Sequence, residues 1–239
     1  MVKNITKEKR KVGIIEPVGK LPPEAVQLYG DKVQFVVANA NVKSLTPEGY
    51  ESAIKNLPSS IDKLVQADVE AISIMGTSLT FFKGREYNEK LKELVAQQSG
   101  LPTTTMTSAI IDGLKKLSAK NIAVVTAYSS HVTELLANVL KEYGINPLTL
   151  EYLNIEISDL ENINSSKLVE AGCKAVENTD CADALLISCG GLLTIDAINL
   201  LEDKLGIPVV SSSVAGAWAS VQLVGLSGYA SNAGKLLRL

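Results

Sequence analysis

The sequence predicts an α/β protein of two similar halves, each a four-stranded parallel sheet covered by helices, related by a pseudo-two-fold with the active site in the cleft between them. Three observations carry that expectation. Short apolar runs alternate with longer amphipathic stretches, the pattern of successive βαβ units. The strand candidates fall in the same order in both halves. Each half also brings a glycine and then a proline to the start of its last strand, in Gly100-Leu-Pro102 and Gly206-Ile-Pro208, a helix stop followed by a strand start.

In chain order, the first half offers strands at Val12–Ile15, Val33–Val37, Ala71–Ile74 and Pro102–Thr105, and the second at Ile122–Thr126, Pro147–Leu150, Ala184–Ser188 and Pro208–Ser211. These runs are rich in Val, Ile, Leu and Thr and show little alternation, as strands buried on both faces should. Helical periodicity fills the gaps at Tyr50–Gln66, Glu86–Gln98, Ser108–Leu117, His131–Tyr143, Ser165–Glu177 and Ile195–Leu205, where crossover connections are required. The division between halves is expected near Ser118–Asn121, giving a first half over 1–118 and a second over 119–213. The final segment, 214–239, is free to cross back onto the first half.

A chain of 239 residues with 46% hydrophobic content can bury a substantial core. Its net charge of −3, with no block of Lys and Arg, argues against nucleic acid or an anionic membrane as partner and favours a small soluble ligand. No apolar run is long enough to span a bilayer, and the basic N-terminus lacks a following signal-peptide core, so the expected compartment is the cytoplasm. Three cysteines, Cys173, Cys181 and Cys189, without a secretion signal argue against a disulfide framework. With one histidine, His131, neither a His-rich zinc site nor a Ser-His-Asp triad is expected.

Ligands of parallel α/β sheets bind beyond the carboxyl ends of the strands. There the halves differ. Ala71-Ile-Ser-Ile-Met-Gly-Thr-Ser78 corresponds to Ala184-Leu-Leu-Ile-Ser-Cys-Gly-Gly191, so Gly76 stands where the second half has Cys189. A thiol on one wall faces empty space on the other, and a substrate carbon between them meets an acid on one face only. Thr77 and Ser78 read either as an anion cradle or as a helix N-cap. Cys189 reads as a catalytic thiol or as packed core. Tyr128 reads as a phenol that reaches a ligand oxygen or as an ordinary cleft-edge tyrosine. His131 opens a helix behind good caps, Ser129 and Ser130, and is left out of the mechanism. Ser211–Ser213 read best as a helix cap. Cys173 lies on an apolar helical face, and Cys181 follows a polar turn.

Met75-Gly-Thr-Ser-Leu-Thr-Phe-Phe-Lys-Gly84, Leu101-Pro-Thr-Thr-Thr-Met106, Ser188-Cys-Gly-Gly-Leu-Leu-Thr-Ile-Asp-Ala197, Pro208-Val-Val-Ser-Ser-Ser213 and Thr46-Pro-Glu-Gly-Tyr50 closely resemble the arylmalonate decarboxylase family. The resemblance runs from about Val42 onward. Its wider relatives, the aspartate/glutamate and hydantoin racemases and the maleate isomerases, usually carry a cysteine on each side of the cleft, whereas the decarboxylases keep only the second. The resemblance implies two flavodoxin-like halves and a cofactor-free loss of CO2 from a disubstituted malonate, a small-molecule carboxylate. The resulting enediolate would be protonated on one face by Cys189. It also implies a dioxyanion hole from the hydroxyls of Thr77, Ser78 and Tyr128 with the N–H groups of Cys189 and Gly190, and an apolar pocket near Val42, Leu45 and Tyr50. Donors aimed at charge that develops in the transition state contribute roughly 3–4 kcal/mol each, and an apolar pocket favours departure of a carboxylate.

The first loop departs from the family pattern: it reads Ile15-Glu16-Pro17-Val18, where the decarboxylases have a valine and two prolines. Glu16 could promote release of a neighbouring carboxylate, act as a second acid/base, or point to solvent. The alternatives are therefore a racemase or cis-trans isomerase of a small dicarboxylic or amino acid using Cys189 and Glu16, and a non-catalytic carboxylate-binding protein.

Overall fold

The computed structural model describes residues 8–44, 46–179 and 181–239. Its strands form two all-parallel four-stranded sheets of identical topology. The first contains β1 (Arg10–Glu16), β2 (Val33–Asn39), β3 (Ala71–Ile74) and β4 (Thr103–Thr105), in the order β2-β1-β3-β4. The second contains β5 (Asn121–Thr126), β6 (Asn146–Tyr152), β7 (Ala184–Ser188) and β8 (Val209–Ser211), in the order β6-β5-β7-β8. All eight expected strands are present. The central pairs are in register to their carboxyl ends, Ile15 opposite Ile74 and Thr126 opposite Ser188. Gly76 and Cys189 therefore both lie just beyond the tip of a central strand. Burial of every residue in β3 and β7 accounts for their unbroken apolar sequences.

The helices are α1 (Pro23–Tyr29), α2 (Pro47–Ile54), α3 (Leu57–Gln66), α4 (Thr77–Phe81), α5 (Gly84–Ser99), α6 (Met106–Lys116), α7 (Ser130–Glu142), α8 (Ser165–Glu177), α9 (Ile195–Leu205) and α10 (Ser212–Gln222). The helix expected over Tyr50–Gln66 is instead the pair α2 and α3. Pro58 enters the first turn of α3, where it has no N–H to continue a ladder from the preceding helix. Two short helices, α1 and α4, were not expected, because neither is long enough to establish a 3.6-residue period.

Several of the recognisable sequence runs have structural jobs. Thr46 caps α2 by accepting from the Gly49 N–H at 3.3 Å, and such a cap contributes about 1 kcal/mol. Thr105 at the end of β4 caps α6, and Ser211 at the end of β8 caps α10, through the N–H groups of Ser108 (3.0 Å) and Val214 (3.2 Å). Gly100 and Gly206 close α5 and α9 at φ of 70° and 72°, a conformation that costs glycine nothing.

The two helices that come after the last strands, α6 and α10, pack on each other, and α10 also covers α1. Gly216 permits the close approach, since a Cβ there would stand 3.0 Å from Met106 and 3.1 Å from Met75. The chain end returns to the second half, where Arg238 pairs with Glu202 of α9 at 3.1 Å. Among the described residues no helix is long and apolar enough to cross a membrane.

Candidate active site

A cavity of about 420 Å³ opens at the carboxyl ends of both sheets. Its polar wall brings together Glu16 and Pro17 from the end of β1, Gly76, Thr77 and Ser78 from the tip of β3, Tyr128 from beyond β5, and Cys189, Gly190 and Gly191 from the tip of β7. Residues far apart in the chain converge because both sheets end at the same place.

Cys189 is 4% exposed. Burial pushes its thiol up to about 11, and the Glu16 carboxylate pushes the same way, against the Gly191 N–H and Tyr128 hydroxyl beside the sulfur. The sulfur is therefore a neutral thiol at pH 7, suited to giving a proton rather than attacking as a thiolate. Tyr128 is buried too, its phenol raised well above its ordinary range chiefly by desolvation and then by the neighbouring thiol, with the hydroxyls of Thr77 and Ser188 within reach. Its ring stands edge-on to Phe81, 5.8 Å between centroids. Tyr128 thus reaches the cavity as a neutral donor rather than lying on the surface.

Gly76 is the N-cap of α4, so neither Thr77 nor Ser78 caps the helix, and both residues line the cavity. The Thr77 hydroxyl donates to the Met106 thioether at 2.7 Å, a weak acceptor that a ligand oxygen would displace. Gly76 leaves little room for anything larger: a Cβ would meet Pro17 Cγ at 3.0 Å and Leu79 Cβ at 3.2 Å.

Glu16 does face the cleft. Its Oε2 accepts from the N–H groups of Val18 (2.8 Å) and Lys20 (2.9 Å), while burial raises its carboxyl above the ordinary range despite those donors. Val42 and Tyr50 lie behind the wall rather than on it. The Val42 N–H holds the Pro17 carbonyl at 2.8 Å. Tyr50 is fully buried, and its hydroxyl is directed at Ser78. Leu45 lies outside the described residues.

Glu24, which sequence reasoning passed over, also borders the cavity, as do Ser213 and an apolar rim of Leu21, Leu160, Leu192 and Leu193. Ser211 is the cap and Ser213 the cavity residue, so the triplet combines both roles. No local pattern marks Glu24, because its partners lie 170 to 189 residues away. His131 sits exposed in the first turn of α7, Cys173 is buried on α8, and Cys181 is exposed. Among the described residues no three His, Cys, Asp or Glu side chains are placed to share a metal ion.

Comparison with known proteins gives a consistent answer. The family model described as arylmalonate decarboxylase matches residues 12–237. An arylmalonate decarboxylase from Bordetella bronchiseptica is 37% identical over 217 residues, 90% of each chain. A maleate isomerase from Geobacillus stearothermophilus is 27% identical over 230 residues, covering 91% of this chain and 86% of the relative. Among solved structures, a doubly substituted arylmalonate decarboxylase in its liganded form superposes with a TM-score of 0.93 at 35% identity, covering 96% of this chain and 99% of the other.

Proposed function

The chain belongs to the arylmalonate decarboxylase family, and from that premise we propose that it is a carbon–carbon lyase that removes one carboxylate from disubstituted, aryl-bearing malonic acids without a cofactor. The carrying observation is the asymmetric cleft: a buried, neutral Cys189 thiol on one wall and Gly76 on the other, with the hydroxyls of Thr77, Ser78 and Tyr128 between them. The bond from the α-carbon to one carboxylate breaks, CO2 leaves, and the electron pair delocalises into the remaining carboxylate as an enediolate. The hydroxyls of Thr77, Ser78 and Tyr128, once turned onto those oxygens, stabilise the developing charge; for Thr77 this means leaving the Met106 thioether. The Cys189 S–H then donates its proton to the carbon, and the thiolate recovers a proton from solvent. Because only one of the two corresponding strand-tip positions carries a thiol, the product is a chiral monoacid of one handedness. The reading includes a small-molecule partner rather than nucleic acid or membrane, and a cytoplasmic site of action.

The test is CO2 release from phenylmalonate and methylphenylmalonate, with Cys189→Ala measured in parallel. Cysteine-dependent release is expected; a folded protein that releases no CO2 overturns the proposal. One observation supports a second reading: Glu16 faces the same cavity as Cys189, which would give an isomerase or racemase its second acid/base. Exchange of a substrate α-hydrogen with deuterated solvent, without CO2, is the result that would select it.

A further inference from the structure

Glu24 stands in the first turn of α1, just after the Val18–Pro22 loop, and its carboxylate reaches across to the other half of the molecule. Oε1 accepts from the backbone N–H groups of Thr194 (2.5 Å) and Ile195 (2.7 Å). Oε2 accepts from the hydroxyls of Thr194 (3.0 Å) and Ser213. Carboxylate and partners are all buried: Glu24 is 3% exposed, Thr194 0% and Ser213 4%.

These contacts fix the start of α9. Thr194 is the N-cap of that helix, yet its side chain makes no capping bond. The orphan N–H groups take Glu24 from the other half instead, and its negative charge lies at the favourable end of the helix dipole. The segment preceding the cap carries the candidate chemistry. From Gly190 to Leu193 the chain belongs to no helix or strand, and its first two residues are glycines. The one backbone bond within it is long, Leu192 N–H to the Cys189 carbonyl at 3.4 Å. Apart from the buried Leu192 side chain and the Gly191 N–H beside the Cys189 sulfur, the loop is held at its two ends. One end is β7; the other is Thr194, held by Glu24.

We propose that Glu24 is a positioning residue: by clamping Thr194 and Ile195 it holds the Gly190–Leu193 loop, and with it the Cys189 thiol and the Gly190 N–H, in register with the opposite wall. In this role Glu24 acts through the loop rather than on the reacting atoms. This inference rests on the reading of Cys189 as the proton donor, and the experiment separates the two.

Wild type and Glu24→Ala are melted, alkylated with iodoacetamide, and assayed for kcat, KM and optical purity on methylphenylmalonate. Alkylation is followed at each cysteine by peptide mass, with Cys173 and Cys181 as internal references. Glu24→Ala should alkylate Cys189 about tenfold faster, because the loop opens locally more often, while Cys181 is unaffected. Misplacement of the donor should cost kcat about a hundredfold, leave KM within a few-fold, and erode optical purity. Glu24→Gln keeps an acceptor for both N–H groups and should recover most of the loss. A lower melting point with unchanged Cys189 alkylation and unchanged optical purity overturns the proposal, because Glu24 would then be a structural tie alone. If Glu24→Ala does not fold, Thr194→Val decides: it removes one donor to the carboxylate, so faster Cys189 alkylation supports the clamp and an unchanged rate overturns it. Alkylation needs no substrate. If wild type releases no CO2, the decarboxylase reading fails while the clamp is still judged by alkylation.

Discussion

The two strand tips that meet in the cleft share one topology and differ in the segment each leads into. After β3 the chain passes through Gly76 straight into α4, so the Thr77 and Ser78 hydroxyls ride on a helix. After β7 comes Cys189 and then a glycine-rich loop before α9, tied down by a carboxylate from the other half. The donor wall is stiff by local structure, and the thiol wall is held by a tertiary contact. An internally symmetric scaffold thus becomes one-sided through a single pair of corresponding positions, Gly76 and Cys189, and that is the property a stereoselective protonation requires.

Removing the acid abolishes the difference between the walls most completely. Cys189→Ser should lower turnover by roughly 10²- to 10⁴-fold, since a hydroxyl is a far weaker acid than a thiol, with little change in melting point. Near-normal CO2 release in steady-state assays would remove Cys189 from the donor role. Next comes the chemistry of the hydroxyl donors. Tyr128→Phe deletes one donor to the enediolate and should cost kcat about 10²- to 10³-fold, with KM much less affected.

Moving the acid tests the pairing of the two positions directly. Gly76→Cys combined with Cys189→Ser should invert the handedness of the monoacid, measured by chiral chromatography. Recovery will be partial, because the new Cβ meets Pro17 at 3.0 Å, a crowding expected to lower stability by about 1–3 kcal/mol in thermal melts. An unchanged configuration would refute the pseudo-symmetric geometry. The smallest effect concerns pH. Burial, then Glu16, raises the Cys189 thiol to about 11, so it stays a proton donor through the range where an ordinary thiol ionises and is lost only as pH rises through its raised value. Glu16→Gln removes the charge that opposes thiolate formation, and the alkaline limb of kcat/KM should move to lower pH. A limb that stays in place would show that Glu16 does not act on the thiol.

Much of this was legible in the sequence. All eight strands announced themselves, the central ones β3 and β7 as unbroken apolar runs buried on both faces and the others as short β-branched or apolar stretches between helical segments. Cys189, Gly76, Thr77, Ser78 and Tyr128 could be read as cleft residues because parallel strands send all their tips to one end of the sheets. The break between α2 and α3 was hidden, since apolar spacing continues across Asn56 and only Pro58 marks the stop. The inward position of Glu16 could not be read either: it depends on the N–H groups of Val18 and Lys20 folding back onto its carboxylate.

Local hydrophobic pattern and residue identity were thus enough to specify the two-sheet architecture, the succession of strands and the chemical asymmetry of the cleft. Long-range packing settled the remainder: that Val42 and Tyr50 stand behind the wall, that Ser213 rather than Ser211 borders the cavity, and that Glu24 caps a helix in the other half. Such arrangements depend on contacts between segments up to 189 residues apart, and a buried carboxylate finds its donors only after both halves have packed.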